Sequence, residues 1–363
     1  MSNGENFSSI ISDQVNRQFH EMVTREQSGK TRASEWQSDL WHSLEESALS
    51  LALVPESQGG VGLDARDAFE IIRLSGYHGL PLPLGDTLLA KAIWCGAGGH
   101  LEALGENPVL LAPSPDGRPL VLRFSGGEAS VSGATGSIAL GDLSAPILLH
   151  AQTEQQAHFL VLLETEGLHR KPCAGPAMEA RSALRLDGNL VPAGRCLPWS
   201  IGDSLAHLGY GALLRSVQMV GAMQRCVELG LQYAAERLQF GRPIGRFTPV
   251  QDMLVEASAE MAAALASAVL AIERWQLHPT TDSLFCIASA KVRCGEAAGK
   301  VSALIHQIHG AIGFTQEHVL HQFTRRLWAW RDDFGTETFW SQWLGAQACS
   351  AKGIHLWQRI ASL

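Results

Sequence analysis

Four long helical segments dominate the last part of the chain, and they constrain its fold more than any other feature. They cover residues 205–237, 248–275, 283–309 and 317–329. The segments are rich in Ala, Leu, Met, Glu and Gln, which favour helix, and their apolar residues recur at helical spacing. Long helices joined by short connections pack as antiparallel neighbours. The pattern therefore predicts a four-helix bundle over residues 199–363.

Two regions of different character precede this bundle. Residues 1–108 are predicted to be helical, whereas residues 109–198 carry short apolar runs separated by Gly, Pro, Asp and Ser, as strands of a compact β domain do. The helical features are periodic segments at 14–26 and 35–51, a turn with one Pro and three Gly at 54–63, and helix starts at Asp64 and Gly85. The strand runs lie at 109–111, 119–122, 146–149 and 158–163. The predicted fold class is α+β, with an N-terminal helical domain, a small middle β domain and a C-terminal four-helix bundle.

The composition of the chain argues against several classes of function. The chain has 363 residues, 46% hydrophobic residues and a net charge of −8, so it offers no basic footprint for nucleic acid or an anionic membrane. No apolar run approaches the roughly 20 residues of a membrane helix, and the polar segment 1–6 lacks the layout of a signal peptide. Seven dispersed cysteines without a C-x-x-C pair indicate reduced thiols and no metal site. We expect a cytoplasmic protein.

Two motifs lie in the predicted bundle. The first, RLQFGRPIG, begins at Arg237, and the second, QIHGAIGFT, begins at Gln307. With the turn at 54–63 and the Val131-Ser132-Gly133 segment, they resemble motifs of the acyl-CoA dehydrogenases, the two bundle motifs matching the flavin-binding half of that family. The order of helical region, β region and bundle also matches the family, so the resemblance covers nearly the whole chain.

The resemblance implies an FAD cofactor and gives these residues a chemical role. Arg237 offers a guanidinium fork to the pyrophosphate, Phe240 offers a ring face, and Gln307 offers an amide donor and acceptor. Gly310 lets the backbone approach a phosphate or sugar closely. The implied cofactor-binding set is Arg237, Phe240, Thr248, Gln307, Gly310, Ala311 and Thr336. The family usually has Gln where Thr248 stands and Gly where Ala311 stands. Because the family builds each flavin site across a dimer interface, the set is expected to bind the FAD of a neighbouring subunit.

The catalytic base of the family is missing from both of its usual positions. The implied reaction is α,β-dehydrogenation of an acyl-CoA thioester, in which a Glu removes the α proton while the β hydride passes to the flavin. Counting back from the Gly335-Thr336 pair, Phe334 stands at the first position of this Glu, and Gly211 stands at the second. Neither residue can accept a proton. Asp333 and Glu337 are the candidates for a relocated base.

The middle region has also lost residues that face the flavin in the family. The family's Trp and hydroxyl residue after Gly133 are replaced by Ser137 and Ala139. The chain has lost residues of its own flavin site but keeps those that bind the flavin of a neighbour. In this pattern it resembles the smaller, non-catalytic subunit of heteromeric acyl-CoA dehydrogenases. Those enzymes act on bulky acyl-CoA esters such as steroid side chains, which implies a heterotetramer in steroid degradation by a β-oxidation step.

Three hypotheses follow from these residues. The chain is a subunit that completes the flavin site of a catalytic partner, with acyl-CoA as substrate and an electron-transfer flavoprotein or similar acceptor. Alternatively, it is a self-sufficient homomeric dehydrogenase that uses Asp333 or Glu337. The third hypothesis is a non-enzymatic structural protein on this scaffold. Arg215 and Arg246 are the arginines considered for the CoA phosphates, although no motif selects them.

Overall fold

A computed structural model describes residues 12–24, 37–177, 179–200, 205–276, 280–350, 357–358 and 360–361. The amino-terminal segment 1–6, in which no signal peptide is expected, lies outside the described residues. The domain limits after residues 108 and 198 stay a prediction.

Four helices form the amino-terminal region. They are α1 (12–24), α2 (Ser38–Glu46), α3 (Ala65–His78) and α4 (Leu84–Gly96). Asp64 caps α3, because its side chain accepts a hydrogen bond from the backbone N–H of Asp67 at 2.9 Å. The helix expected over 35–51 is shorter in the described residues, and a separate 3-10 turn follows it at Leu49–Leu51. The helix starts expected near Asp64 and Gly85 are confirmed.

A mixed sheet follows. Its strands are β1 (Leu110–Leu111), β2 (Leu120–Ser125), β3 (Glu128–Ala134), β4 (Ile138–Ala139), β5 (Ile147–Gln152), β6 (His158–Leu163), β7 (Arg170–Pro172), β8 (Arg181–Pro192) and β9 (Cys196–Pro198). The main strand order is β4-β8-β3-β2-β5-β6-β9, with β1 beside β5 and β7 beside β8. The β2–β5 and β1–β5 pairs are parallel, and the other pairs are antiparallel.

The two faces of β5 and β6 explain why their polar/apolar alternation is weak. Ile147 and Leu149 belong to a core on one face of the sheet, whereas Leu148, Leu160 and Leu162 belong to the core shared with the helices on the other face. A strand buried on both faces reads as a continuous apolar run. All four predicted runs coincide with strands of this sheet.

The longest strand, β8, was not predicted from the sequence. It contains two arginines and the Asp187-Gly188 pair, which read as loop rather than strand. In the fold, β8 pairs with β3 and shifts register where β3 passes from Val131 to Ser132. A β-bulge of this kind depends on the partner strand, so a single-sequence pattern does not reveal it.

Long helices fill the carboxy-terminal region, as the bundle prediction requires. They are α5 (Ala206–Glu236), α6 (Thr248–Glu273), α7 (Thr281–His309), α8 (Leu320–Asp332) and α9 (Glu337–Ser350). α7 lies against α5, α6, α8 and α9. α9 was not predicted, and α8 begins three residues later than expected because residues 315–319 form a turn.

Helix α6 differs from the other described helices in its composition. It is the one described helix that is long and apolar enough to span a membrane when averaged over 18 residues, although the chain contains no uninterrupted apolar run of that length. A single helix of this kind is weak evidence for a membrane, because packed helices of other proteins pass the same test.

Two buried histidines lie where the sheet meets α5, and they predict a loss of stability in acid. Burial lowers the pKa of His150 to about 3 and that of His207 to about 4. The unfolded chain binds these protons near pH 6.5 and the folded chain does not, so the free energy of unfolding falls as pH decreases from 6.5 towards 4. Each histidine contributes up to about 1.4 kcal/mol per pH unit in that range. Denaturant unfolding at pH 7, 6 and 5 measures the slope.

The control for this prediction is a pair of single substitutions. His207→Gln removes one of the two titrating groups and is expected to reduce the slope by about one proton. His42→Gln, at an exposed position on α2, is expected to leave the slope unchanged. Equal slopes in all three proteins would contradict the assignment.

Candidate active-site cleft and flavin half-site

The two positions that the sequence assigns to the missing base meet in space. Phe334 lies in the connection between α8 and α9, and Gly211 lies in the second turn of α5. A Cβ added at Gly211 would overlap the Phe334 ring, so the absence of a side chain there makes room for that ring. Phe334 is 2% exposed. An aromatic ring therefore fills the space between the two positions predicted for the base.

The connection that carries Phe334 is held by buried donors. The indole Nε1 of Trp340 donates to the Phe334 carbonyl at 2.9 Å. Lys291 Nζ donates to the carbonyls of Arg331 at 2.6 Å and Gly335 at 2.8 Å. Burial lowers the pKa of Lys291 to about 8, although the nearby Glu337 carboxylate opposes the shift. Phe334 has a φ of 55°, a left-handed conformation that is uncommon for an aromatic residue and that these three hydrogen bonds stabilise.

Asp333, next to Phe334, lies between two buried arginines. Arg215 Nε of α5 donates to its Oδ2 at 3.1 Å, and Arg181 Nη2 of β8 donates to its Oδ1. Arg215 also pairs with Asp86 of α4 at 3.2 Å. All four side chains are buried. The network therefore joins the amino-terminal helices, the sheet, the bundle and the α8–α9 connection.

This network changes the interpretation of two residues. Asp333 is buried and not a solvated charge near a helix end, whereas its neighbour Asp332 is exposed. Arg215, considered above for a CoA phosphate, is enclosed by Asp86 and Asp333 and does not reach solvent. With both carboxylate oxygens bound to guanidinium groups, Asp333 is poorly suited to accept a substrate proton.

A cleft of about 360 Å³ lies between the sheet and this connection. Its lining includes Ser114, Ser137 and Arg181 from the sheet side, and Phe334 and Thr336 from the helical side. The hydroxyl of Ser137 accepts a hydrogen bond from Arg181 Nε at 3.0 Å, so the residue that replaces the family's Trp serves the ion network. Thr336 also accepts a hydrogen bond from the Phe339 backbone and begins α9.

Glu337, the other candidate for a relocated base, lies beside this cleft but not in its lining. Its Oε1 accepts a hydrogen bond from Arg331 Nε at 2.6 Å, and its side chain covers Gly295 of α7. This geometry favours a role in joining α9 to α7 and α8.

The RLQFGRPIG motif forms an exposed hairpin after α5. Strands Leu238–Gln239 and Arg242–Pro243 are joined by Phe240 and Gly241, whose φ angles are 51° and 77°. Two residues with positive φ make a type I′ turn, for which Asn-Gly is favoured and Phe is not. Phe240 is nevertheless 92% exposed. A large apolar ring held outward in an unfavourable conformation indicates a contact beyond this chain.

The second motif meets the hairpin at the same end of the bundle. Gln307 is exposed in the last turn of α7, and Gly310, with a φ of 64°, ends that helix. The rings of Tyr233, at the end of α5, and His309 stack at 4.6 Å, which brings the two motifs together. Exposed backbone follows at Ala311.

The remaining members of the predicted cofactor set divide between two places. Thr248 is exposed at the start of α6, soon after the hairpin, whereas Thr336 lines the cleft. In the described part of the chain, the guanidinium of Arg237 has neither an ion pair nor a hydrogen bond, and it is exposed. Six of the seven predicted residues are thus exposed, whereas the seventh, Thr336, lines the internal cleft.

Sequence reasoning missed Arg181 and Lys291. Arg181 opens a strand that was itself not predicted. Lys291 had a usable signal, because it is a single charge within the apolar stretch Ile287–Val292, where an unpaired Lys would be costly. The sequence does not say which carbonyls it binds.

The sequence of the chain is similar to those of known proteins. Residues 203–337 match the family model "Acyl-CoA dehydrogenase, C-terminal domain". Acyl-CoA dehydrogenase IpdE2 of Mycobacterium tuberculosis is 29% identical over 299 residues, which cover 80% of each chain.

Superposition on solved structures identifies the fold of the chain. A chain of the ChsE4-ChsE5 complex from Mycobacterium tuberculosis superposes with a TM-score of 0.84 at 19% identity, covering 94% of this chain and 97% of that one. A variant of the Tcur3481-Tcur3483 steroid ACAD gives 0.83 at 20% identity, covering 96% and 99%. The chain therefore has the acyl-CoA dehydrogenase fold, and its residues 203–337 form an acyl-CoA dehydrogenase C-terminal domain.

Proposed function

We propose that this chain is the non-catalytic subunit of a heteromeric, FAD-dependent acyl-CoA dehydrogenase. In this role it completes the flavin site of a catalytic partner that supplies the base for α,β-dehydrogenation. One observation carries the proposal: the residues predicted to bind a neighbour's flavin are exposed, while the Phe334 ring packed on Gly211 fills the position predicted for the chain's own base.

The exposed half-site fits a dinucleotide in its donor set. Arg237 has a free guanidinium for a pyrophosphate, and the Gln307 amide stands nearby at the same end of the bundle. Gly310 has no atoms within 4 Å of the place where a Cβ would stand, so a ligand can approach its backbone. When bound, FAD would supply the hydride acceptor. These residues would hold its phosphates and exclude water from them.

The chain's own cleft does not offer the same fit. Arg181 crosses from the sheet to Asp333 and also binds Ser137, so polar groups that face the cleft are already paired. The carboxylates that line the cleft are those of Asp332 and Asp333; both oxygens of Asp333 are bound by arginines, and Phe334 stands at the predicted base position. We therefore assign no chemical step to this cleft.

Helix α6 offers a surface suited to a partner subunit. Val255, Leu265, Val269 and Leu270 are exposed on it, and Val255 is 70% exposed. Between Met261 and Ile272 the helix has no charged residue. Contiguous exposed apolar surface of this kind marks protein interfaces. In the proposed heterotetramer, the partner subunit covers α6.

The substrate class comes from similarity alone. The structural neighbours include a two-protein complex and a steroid ACAD, which supports a heteromer acting on a bulky, steroid-like acyl-CoA. An electron-transfer flavoprotein or similar protein would reoxidise the flavin.

The visible absorption spectrum tests this function. The chain is purified alone and also after co-expression with a catalytic partner, encoded beside it, that carries the Glu base. We expect a colourless chain alone and a yellow complex that reduces an electron acceptor with acyl-CoA. A yellow chain with about one flavin per chain and activity by itself would contradict the proposal. Asp333→Asn and Glu337→Gln would then be assayed to find a relocated base.

Phe240→Asn separates the structural from the binding role of the hairpin. Asn tolerates positive φ better than Phe, so the free energy of unfolding of the chain alone is expected to stay constant or rise by up to about 1 kcal/mol. The FAD content of the complex is expected to fall, because the exposed ring is lost. Leu190→Asn, at another exposed apolar position, is the control. Unchanged FAD content in Phe240→Asn would remove Phe240 from the half-site.

A further inference from the structure

Three rings at one end of the bundle form a cluster that lies outside the lining of the internal cleft. The ring of Tyr233, in the last turn of α5, stacks on His309 of α7 at 4.6 Å, with 21° between the ring planes. His318 belongs to the connection 310–319 between α7 and α8, and its ring lies 4.6 Å from that of His309. The backbone N–H of Arg237 donates to the Tyr233 carbonyl at 2.9 Å. The Tyr233–His309–His318 cluster therefore joins the start of the hairpin to this connection, which carries Gly310.

The hydrogen bonds of the cluster require both histidines to be neutral. His309 Nδ1 donates to the Ile305 carbonyl at 2.8 Å, so its Nε2 carries the lone pair. That Nε2 is buried and has no hydrogen-bond partner in the described part of the chain. His318 Nδ1 accepts a hydrogen bond of 3.2 Å from the backbone N–H of Leu320, the first residue of α8. A second proton would therefore break the bond to Leu320 and would place an unpaired buried charge on His309.

No carboxylate of the described residues pairs with either histidine. The titratable rings beside them are Tyr233 of α5, His306 of α7 and His321 of α8. The charged side chains of the adjoining segments are exposed or directed to the loop before β8: Glu236, Arg237, Glu317, Arg325 and Arg326. Burial lowers the pKa of both histidines, and charge on a neighbouring histidine adds to the shift, whereas the Ile305 carbonyl opposes it for His309.

The direction of the pH effect follows from these contacts. At pH 7 both rings are neutral, and the cluster is closed. As the pH falls below 6.5, a connection that has come away from α5 takes up protons that the closed cluster excludes. For each histidine, the equilibrium then shifts towards the open form by up to about tenfold per pH unit.

We propose that the Tyr233–His309–His318 cluster is a proton-sensitive latch, which holds the connection 310–319 against α5 at neutral pH and releases it in acid. Its consequence for the cofactor rests on the proposed function. In that function, FAD needs Arg237 of the hairpin and Gly310 of the connection together. Release of the connection separates them, so the complex binds FAD less tightly as the pH falls.

Hydrogen exchange of the full chain tests the latch without any cofactor. The amides of Thr315 and Leu320 report its opening, because both donate hydrogen bonds to residues of the connection. We expect their protection factors to fall by up to about a hundredfold between pH 6.5 and pH 5.5, a factor of about ten for each histidine. We also expect these factors to lie well below those of amides in the middle of α5, which exchange by global unfolding.

His318→Asn is the variant that isolates the protonation of one ring. Asn Oδ1 takes the place of the imidazole Nδ1 as acceptor for the Leu320 N–H, as in an Asx turn, but it does not titrate. The fall in protection is expected to be about tenfold smaller than in the parent chain. His169→Asn, at an exposed position between β6 and β7, is the control and is expected to match the parent.

Three results of the exchange experiment would overturn the latch. The first is a protection factor that stays constant between the two pH values. The second is an equal fall in His318→Asn and in the parent chain. The third is protection of Thr315 and Leu320 equal to that of the α5 amides, because the opening is then global.

Fluorescence titration of the flavin-free complex tests the consequence for FAD. We expect the dissociation constant of FAD to rise by about tenfold or more between pH 6.5 and pH 5.5, and by less in His318→Asn. A constant that does not change, or that falls in acid, overturns the link between the latch and the cofactor. A complex that binds no flavin at either pH overturns the proposed function instead, and the exchange experiment still decides the latch.

Discussion

Replacing Asp333 by Ala is expected to lower the free energy of unfolding by about 3–5 kcal/mol. The carboxylate lies between Arg181 and Arg215, and all three side chains are buried. Its removal leaves two buried guanidinium groups short of a counter-charge. Glu179 and Asp86 continue to pair with these arginines, which favours the lower part of the range. Denaturant unfolding of the chain measures the change.

Asp332→Ala is the matched control for this substitution. The two residues are adjacent, but Asp332 is exposed, so its loss is expected to change stability by no more than about 0.5 kcal/mol. Asp333→Asn keeps the shape and two hydrogen-bonding atoms without the charge, and an intermediate loss is expected. A small effect of Asp333→Ala would mean that water or a rearranged Glu179 compensates the arginines.

Replacing Arg237 by Ala is expected to raise the dissociation constant of FAD from the complex by about ten- to a hundredfold. Hydrogen bonds to charged groups contribute about 1.5–3 kcal/mol, and each 1.4 kcal/mol is a factor of ten. The side chain is exposed and unpaired within the described residues, so the substitution is expected to leave the stability of the chain alone unchanged. Fluorescence titration of the flavin-free complex measures the constant.

Two further variants test whether the effect is specific to the guanidinium group of Arg237. Arg237→Lys keeps the charge but loses the planar fork, so an intermediate dissociation constant is expected. Arg123→Ala removes an exposed arginine of β2, and the affinity for FAD is expected to stay at the parent value. Full affinity in Arg237→Ala would show that the pyrophosphate lies elsewhere and would remove the main support for a shared flavin site.

The internal cleft and the exposed half-site differ in what their residues can do within the same fold. At the position predicted for the base, this chain has a packed aromatic ring, and the neighbouring Asp333 belongs to an ion network that joins all three regions of the chain. Two of the non-glycine residues with positive φ follow the same division. Phe334 is held by hydrogen bonds inside, whereas Phe240 is exposed and without such support, as expected of a residue that awaits a partner.

The sequence by itself predicted most of the long helices, four of the nine strands of the sheet and two motifs that resemble flavin-binding ones. Those features depend on local composition and spacing: helical periodicity in α5 to α8, uninterrupted apolar runs in β5 and β6, and turn residues around Phe240 and Gly310. Counting along the chain also assigned the two base positions to Phe334 and Gly211, an assignment that stays a prediction. The place of Asp333 did not follow, because a charge beside a helix end is usually solvated.

Only the tertiary structure decided which distant residues share a site. Arg181 lies 152 positions before Asp333, and Asp86 lies 129 positions before Arg215, so no local pattern links them. The packing of the Phe334 ring on Gly211 likewise depends on how the helices come together. A sequence fixes the preferences of neighbouring residues, but burial and the pairing of charges arise only when separate elements come together.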